Sequence, residues 1–180
     1  MMLDLKKAYA IAGWMSETEL NWLAQEAQKH KYIVEIGSHL GRSTRALADN
    51  TPGKVVAIDD WKGPRDVGME EGNFFPGFCH NMADVLGTKL QAIRTDFKNL
   101  ADVKLEEEPD MIFLDGEHTY KEVLRDLLWA RSKMKHGLLC GHDFEYQEVV
   151  YALAAFLAET DMVPSVGAAL RTSIWWVKVE

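Results

Sequence analysis

Five acids stand at or just past the ends of short apolar runs in this 180-residue chain. Glu35 lies within Tyr32 to Ile36, Asp59 follows Val55 to Ile58, and Asp96 comes soon after Leu90 to Ile93. Asp115 closes the run Asp110 to Leu114, and Asp143 follows Leu138 to Cys140. A carboxylate at the end of a buried strand is costly unless something pairs with it. Five around one crevice would repel a dinucleotide pyrophosphate. They would favour a ligand bearing an ammonium, a sulfonium and a ribose diol. Taken singly, each acid reads equally well as a helix or turn cap, because Asp is a good N-cap. That reading weakens when it must hold five times.

The first of these runs continues Gly37-Ser38-His39-Leu40-Gly41-Arg42-Ser43. Gly37 permits a tight turn, Gly41 permits close approach of backbone to ligand, and the helix start beyond offers free N–H groups. The spacing reads as a nucleotide or cofactor loop of some kind, or as a plain strand–helix turn. Asp59 lies 22 residues beyond Gly37, about where an acid reaches a ribose hydroxyl in nucleotide-binding βαβ units. His118, close after Asp115, is either a base poised near neutral pH or a histidine held by a neighbouring carboxylate.

The elements that must position these residues alternate. Helices are predicted over Ser16 to His30 (apolar face Leu20, Leu23, Ala24 and Ala27), Gly41 to Asp49, a stretch ending near Leu86, Thr119 to Lys135, and Gln147 to Ala158. Capping boxes are expected at Ser16/Glu19 and at Thr119/Glu122, with Gly137 as a C-cap glycine. Strands are predicted over the five apolar runs and over Ser173 to Val179. Between Trp61 and Phe78 runs a long Gly- and aromatic-rich loop. Its aromatics are placed either over a ligand or, for Phe74, Phe75 and Phe78, in the core at the start of the next helix. Strand–helix alternation with almost fully apolar strands predicts a parallel sheet covered on both faces. Ligands bind such sheets at the carboxyl ends of the strands, where strand order reverses.

The runs Glu-Ile-Gly-x-x-x-Gly-x-Ser, Ala-Ile-Asp-Asp-Trp, Asp-Met-Ile-Phe-Leu-Asp-Gly-Glu-His-Thr-Tyr and Gly-Leu-Leu-Cys-Gly-His-Asp-Phe resemble those of the class I S-adenosylmethionine-dependent methyltransferases. The likeness is greatest to the small-molecule O-methyltransferase branch, which includes catechol and macrocin methyltransferases. It covers about Tyr32 to Tyr146 plus the last strand. The resemblance implies one Rossmann-like α/β domain: a doubly wound, mostly parallel seven-stranded sheet with helices on both faces and an antiparallel C-terminal strand. It implies that Glu35 holds the methionyl ammonium, while Gly37, Ser38, Gly41 and Ser43 line the methionine part of the cofactor. Asp59 would take the ribose hydroxyls, with Asp60 and Trp61 near the adenine and Asp96 and Phe97 bounding it. Asp115 would sit below the sulfonium, facing the acceptor, with His118 as the catalytic base. Several relatives bind a divalent metal at the ends of the fourth and fifth strands, which here means Asp115, His142 and Asp143. Mg²⁺ suits oxygen donors, and the histidine departs from the usual oxygen pair.

Composition narrows the partners. Lys and Arg number 20 against 28 Asp and Glu, a net charge of −8. That balance argues against broad nucleic-acid contact and against adhesion to anionic membranes, and no apolar run reaches the ~20 residues of a membrane span. The N-terminal Lys6 to Met15 stretch faintly resembles a signal peptide but is taken as structure, because a capping box follows at once. Two cysteines, Cys79 and Cys140, read as free thiols in a cytoplasmic protein. The expected partner is a small-molecule acceptor. Only about 30 residues precede the first strand, so the acceptor site is either open or closed by a second copy of the chain. Rival readings are an NAD-dependent oxidoreductase, a cofactor-binding module without turnover, and methylation of an amine.

Overall fold

The computed structural model describes residues 2–63, 71–160, 166–169 and 171–180. Residues 64–70, the middle of the loop expected between Trp61 and Phe78, lie outside that set.

Seven strands form one sheet: β1 (Tyr32–Ile36), β2 (Lys54–Asp59), β3 (Leu90–Arg94), β4 (Met111–Leu114), β5 (Gly137–Gly141), β6 (Val166–Ala168) and β7 (Trp175–Val179). Their order is β3-β2-β1-β4-β5-β7-β6. The first five run parallel, and β7 lies antiparallel between β5 and β6. The expected seven-stranded sheet with an antiparallel C-terminal strand is therefore present. Strand order reverses between β1 and β4, and their carboxyl ends, with that of β2, open the crevice the topology predicts.

One face of the sheet is covered by α1 (Lys6–Ala10), α2 (Glu17–Ala27), α3 (Arg42–Asn50) and α4 (Phe75–Asn81). The other is covered by α5 (Tyr120–Lys133), α6 (Gln147–Glu159) and a 3₁₀ turn over Phe97–Asp102. Every residue of β1 is buried, as a strand covered on both faces requires. Strand alternation then assigns sides. Val34 and Ile36 join the α5/α6 core, while Ile33 joins the core beneath α2 and α3. Glu35 is thus aimed at α3, the helix that follows the glycine loop.

The expected α2 stripe is buried as read: Leu20, Leu23, Ala24 and Ala27. Ser16 and Glu19 form the full reciprocal capping box. At the other expected box, Thr119 Oγ1 donates to the Glu122 carboxylate at 2.7 Å and makes no backbone cap. Gly137 is no C-cap. It opens β5 at φ 142°, where an added Cβ would stand 2.3 Å from the Asp110 carbonyl oxygen. The chain turns there against β4, and that close approach is what requires glycine. Sequence periodicity missed α1, β6 and the 3₁₀ turn, each at most six residues long. Cys79 and Cys140 are free, and no helix among the described residues is long and apolar enough to cross a membrane.

Candidate active site

The site forms around Glu35. It is fully buried, and its Oε2 accepts hydrogen bonds from Ser38 Oγ at 2.7 Å and from Thr44 Oγ1. Burial pushes its carboxyl up to about 7, against the hydroxyls of Ser43, Thr44 and Ser38, which favour the charged form. Oε1 accepts no hydrogen bond from the described residues. A buried carboxylate oxygen without a donor is rare. Here it marks where a cationic donor fits. Thr44 escaped the sequence reading. Its signal was available: a buried acid needs donors, and Thr44 lies one residue beyond Ser43 in the first turn of α3.

Gly37 has φ 89°, and an added Cβ would stand 1.9 Å from the carbonyl oxygen of Asp115. Its role is thus to let the ends of β1 and β4 touch, so that Glu35 and Asp115 share one crevice. We expect Gly37→Ala to destabilise the fold by at least about 3 kcal/mol through overlap and backbone strain combined. Urea denaturation measures this, and a shift in midpoint worth under about 1 kcal/mol would count against it. Gly41 precedes α3 beneath Met82 and Phe78, so side chains, rather than open crevice, crowd it.

Asp59 is buried, and both of its oxygens are engaged. Oδ2 accepts the His39 N–H at 2.8 Å and Oδ1 the Trp61 N–H at 2.6 Å. Burial raises its carboxyl, with those N–H groups opposing. The acid thus ties the glycine loop to the end of β2. Asp60, also buried, accepts the Lys62 N–H at 2.9 Å. Trp61 departs from the expected place beside an adenine. It is wholly enclosed, packed against Phe75 and Phe78 with ring centroids 4.8 Å away in both cases, because an indole inside the α4 core buries more apolar surface than one on a crevice wall. Asp96 caps the 3₁₀ turn by accepting the Lys98 N–H, and Phe97 is buried in the α5-side core.

The second half of the site lies at the ends of β4 and β5. Asp115, His118, His142 and Asp143 meet there as expected. Candidate ligand atoms of Asp115, His142 and Asp143 lie within 4.8 Å of one another. His118 Nε2 is 2.7 Å from Asp143 Oδ2, and its ring stacks on Tyr146 at 5.2 Å and 10°. His142 Nδ1 is 3.1 Å from Asp143 Oδ1 and 3.7 Å from Asp115 Oδ1. Asp143 therefore serves two histidines and does not cap α6.

A third carboxylate arrives from α2, and sequence reasoning saw it only as a cap. Glu19 Oε2 completes the box with Ser16, while Oε1 accepts the Ser173 N–H at 3.0 Å and lies 3.1 Å from His142 Nε2. The last contact is an ion pair rather than an aligned hydrogen bond. Burial alone would lower the His142 imidazole. The hydrogen bond to Asp143 and the charges of Asp115, Asp143 and Glu19 outweigh it and lift the group to about 10. Burial raises Asp115 to about 6, with His142 opposing. Asp143 is held well below the usual carboxylate range by both histidines, against its own burial.

Residues 34–144 match the methyltransferase domain family. The chain belongs to that family. No curated protein sequence matches it. Among solved structures, the O-methyltransferase TomG from Streptomyces achromogenes, in complex with S-adenosylmethionine, superposes with a TM-score of 0.68 at 13% identity, covering 100% of this chain and 93% of that one. The Podospora anserina methyltransferase PaMTH1, bound to S-adenosylhomocysteine, gives 0.70 at 14%, covering 98% and 86%. The Bacillus cereus O-methyltransferase, with the same ligand, gives 0.66 at 16%, covering 97% and 86%. At these identities the likeness is one of fold. The methyltransferase domain begins inside β1, one residue before Glu35, and ends one residue past Asp143. It thus holds every sequence-predicted site residue and excludes Glu19.

Proposed function

We propose that this methyltransferase moves the methyl group of S-adenosylmethionine to a hydroxyl oxygen of a small molecule. The observation that carries the reading is the buried, donorless Oε1 of Glu35 beside a loop of hydroxyls. An α-ammonium supplies the missing donor and the compensating charge, and a dinucleotide pyrophosphate supplies neither. When bound, the cofactor offers a methyl group already activated by its sulfonium. Glu35, Ser38, Ser43 and Thr44 hold the amino-acid end, and Asp59 receives the ribose. Asp115 faces the reacting centre, and His118, oriented by Asp143 and Tyr146, takes the proton of the acceptor hydroxyl. Alignment of the acceptor oxygen behind the methyl supplies ~7–11 kcal/mol of the acceleration. The solved neighbours described as O-methyltransferases support oxygen as the acceptor atom, and the two free thiols fit a reducing, cytoplasmic setting.

Calorimetric titration tests the reading. S-adenosylmethionine and S-adenosylhomocysteine are expected to bind with one site per chain, and NAD is expected not to. Binding of NAD with silence from both sulfur ligands would reverse the assignment.

A further inference from the structure

The family resemblance implies a divalent cation at the ends of β4 and β5, and the donors there fit one. His142 Nδ1 lies 3.1 Å from Asp143 Oδ1 and 3.7 Å from Asp115 Oδ1. Two donors of one ion, each about 2.1 Å from it, lie roughly 3.0–3.4 Å apart, so a small shift at Asp115 brings all three atoms to a shared point. His118 engages Oδ2 of Asp143 at 2.7 Å and leaves Oδ1 for that point. The imidazole sets this donor set apart. Mg²⁺ takes oxygen, whereas a nitrogen donor suits the first-row divalent metals. His142 is also held in place. Its N–H donates to the Leu114 carbonyl at 3.0 Å, its carbonyl accepts the Trp175 indole N–H at 3.0 Å, and its side chain is only 10% exposed. Behind the ring, Glu19 Oε1 stands 3.1 Å from Nε2. Glu19 is itself anchored, at Oε2 by the Ser16 N–H and hydroxyl and at Oε1 by the Ser173 N–H.

We infer that Glu19 is a positioning residue that backs His142, so that Nδ1 joins Asp115 and Asp143 in holding a first-row divalent cation in preference to Mg²⁺. A carboxylate on the far nitrogen of a ligating histidine fixes which nitrogen carries the proton and strengthens the other as a donor. Nδ1 gives its proton to solvent on ligation, while Nε2 keeps its own against Glu19. The Nε2 contact is short but out of line, so seating both nitrogens takes a small turn of the ring. Glu19 comes from α2, outside the matched domain of residues 34–144. The metal preference is thus set by how this chain packs its own N-terminal helix against the ends of the strands.

The inference rests on the proposed methyl transfer only for the use made of the ion, so binding is measured without cofactor or acceptor. Mg²⁺, Mn²⁺, Co²⁺ and Zn²⁺ are titrated separately into the purified full chain by calorimetry. One saturable site per chain is expected for the three first-row ions, with Mg²⁺ weaker by roughly tenfold or more. Glu19→Gln keeps a residue that a capping box accepts. It is expected to weaken Mn²⁺ binding by ~10–100-fold, with thermal melting confirming the fold. If that variant does not fold, Glu19→Asp, which keeps the charge but withdraws it from the ring, replaces it with the same expected loss. Pulsed EPR of bound Mn²⁺ reads the ligand directly. Nitrogen coupling is expected in the wild type and lost in His142→Asp, whose all-oxygen set should also narrow the gap to Mg²⁺. Absence of saturable binding for all four ions, or Mg²⁺ binding as tightly as the others, would overturn the inference. Unchanged Mn²⁺ affinity in the folded Glu19 variant would do the same, as would nitrogen coupling that survives His142→Asp. A chain that binds metal in this way and S-adenosylmethionine not at all keeps this inference and loses the proposed function.

Discussion

Replacing Glu35 by glutamine is expected to weaken S-adenosylmethionine binding by roughly 30- to 1,000-fold, the effect of losing one partner of a buried charge pair worth about 2–4 kcal/mol. The same change should not destabilise the ligand-free protein, because the carboxylate there is desolvated with one oxygen lacking a donor. The pH dependence separates these effects. The native Glu35 carboxyl, at about 7, holds its proton more tightly than the unfolded chain does at the ordinary 4.5. Stability is therefore greatest below the unfolded value, falls as pH rises toward 7 and is level above it. The span between the two values corresponds to roughly 3 kcal/mol. Asp115 and Asp126 are also raised by burial, to about 6 and about 7, so the difference between wild type and Glu35→Gln, rather than either curve alone, isolates Glu35. Urea midpoints from pH 5 to pH 8 should converge at the acid end and favour the variant at the alkaline end. Parallel curves, or unchanged cofactor affinity, would remove Glu35 from the cofactor site.

Removing the His118 imidazole is expected to lower kcat by ~10²–10⁴-fold while cofactor affinity stays as in the wild type. The contact at 2.7 Å with Asp143 and the stack on Tyr146 fix the ring at the edge of the cluster, and neither contact touches Glu35 or its hydroxyls. His118→Ala thus separates acceptor deprotonation from cofactor binding. Single-turnover kinetics at saturating cofactor read the chemical step directly. A variant that keeps the wild-type rate but melts earlier would assign His118 to holding the turn before α5. A variant that loses cofactor affinity instead would place the ring beside the sulfonium.

Local sequence was enough to determine the alternating architecture and the position of the crevice. Almost fully apolar strands alternate with helices, their acids fall at the carboxyl ends, and strand order at a doubly wound sheet dictates where a ligand lies. The pairing of Asp115, His142 and Asp143 was legible for the same reason: adjacent parallel strands β4 and β5 end at the same height. What the linear pattern could not show was which partners reach those acids from elsewhere. Gly37 looked like a residue for a tight turn, and its necessity comes from the Asp115 carbonyl 78 residues later in the chain. Trp61 looked like a crevice wall until α4 folded over it and took it into the core. Glu19 satisfied a local rule completely as the third residue of a capping box, which left no reason in the sequence to look for a second role. Only packing α2 against the ends of β5 and β7 brings its free edge to His142 and Ser173. Periodicity and capping act within one element, so the sequence reports them. The protonation, charge balance and metal preference of a site are sums over groups from several elements, and those sums exist only once the chain has packed.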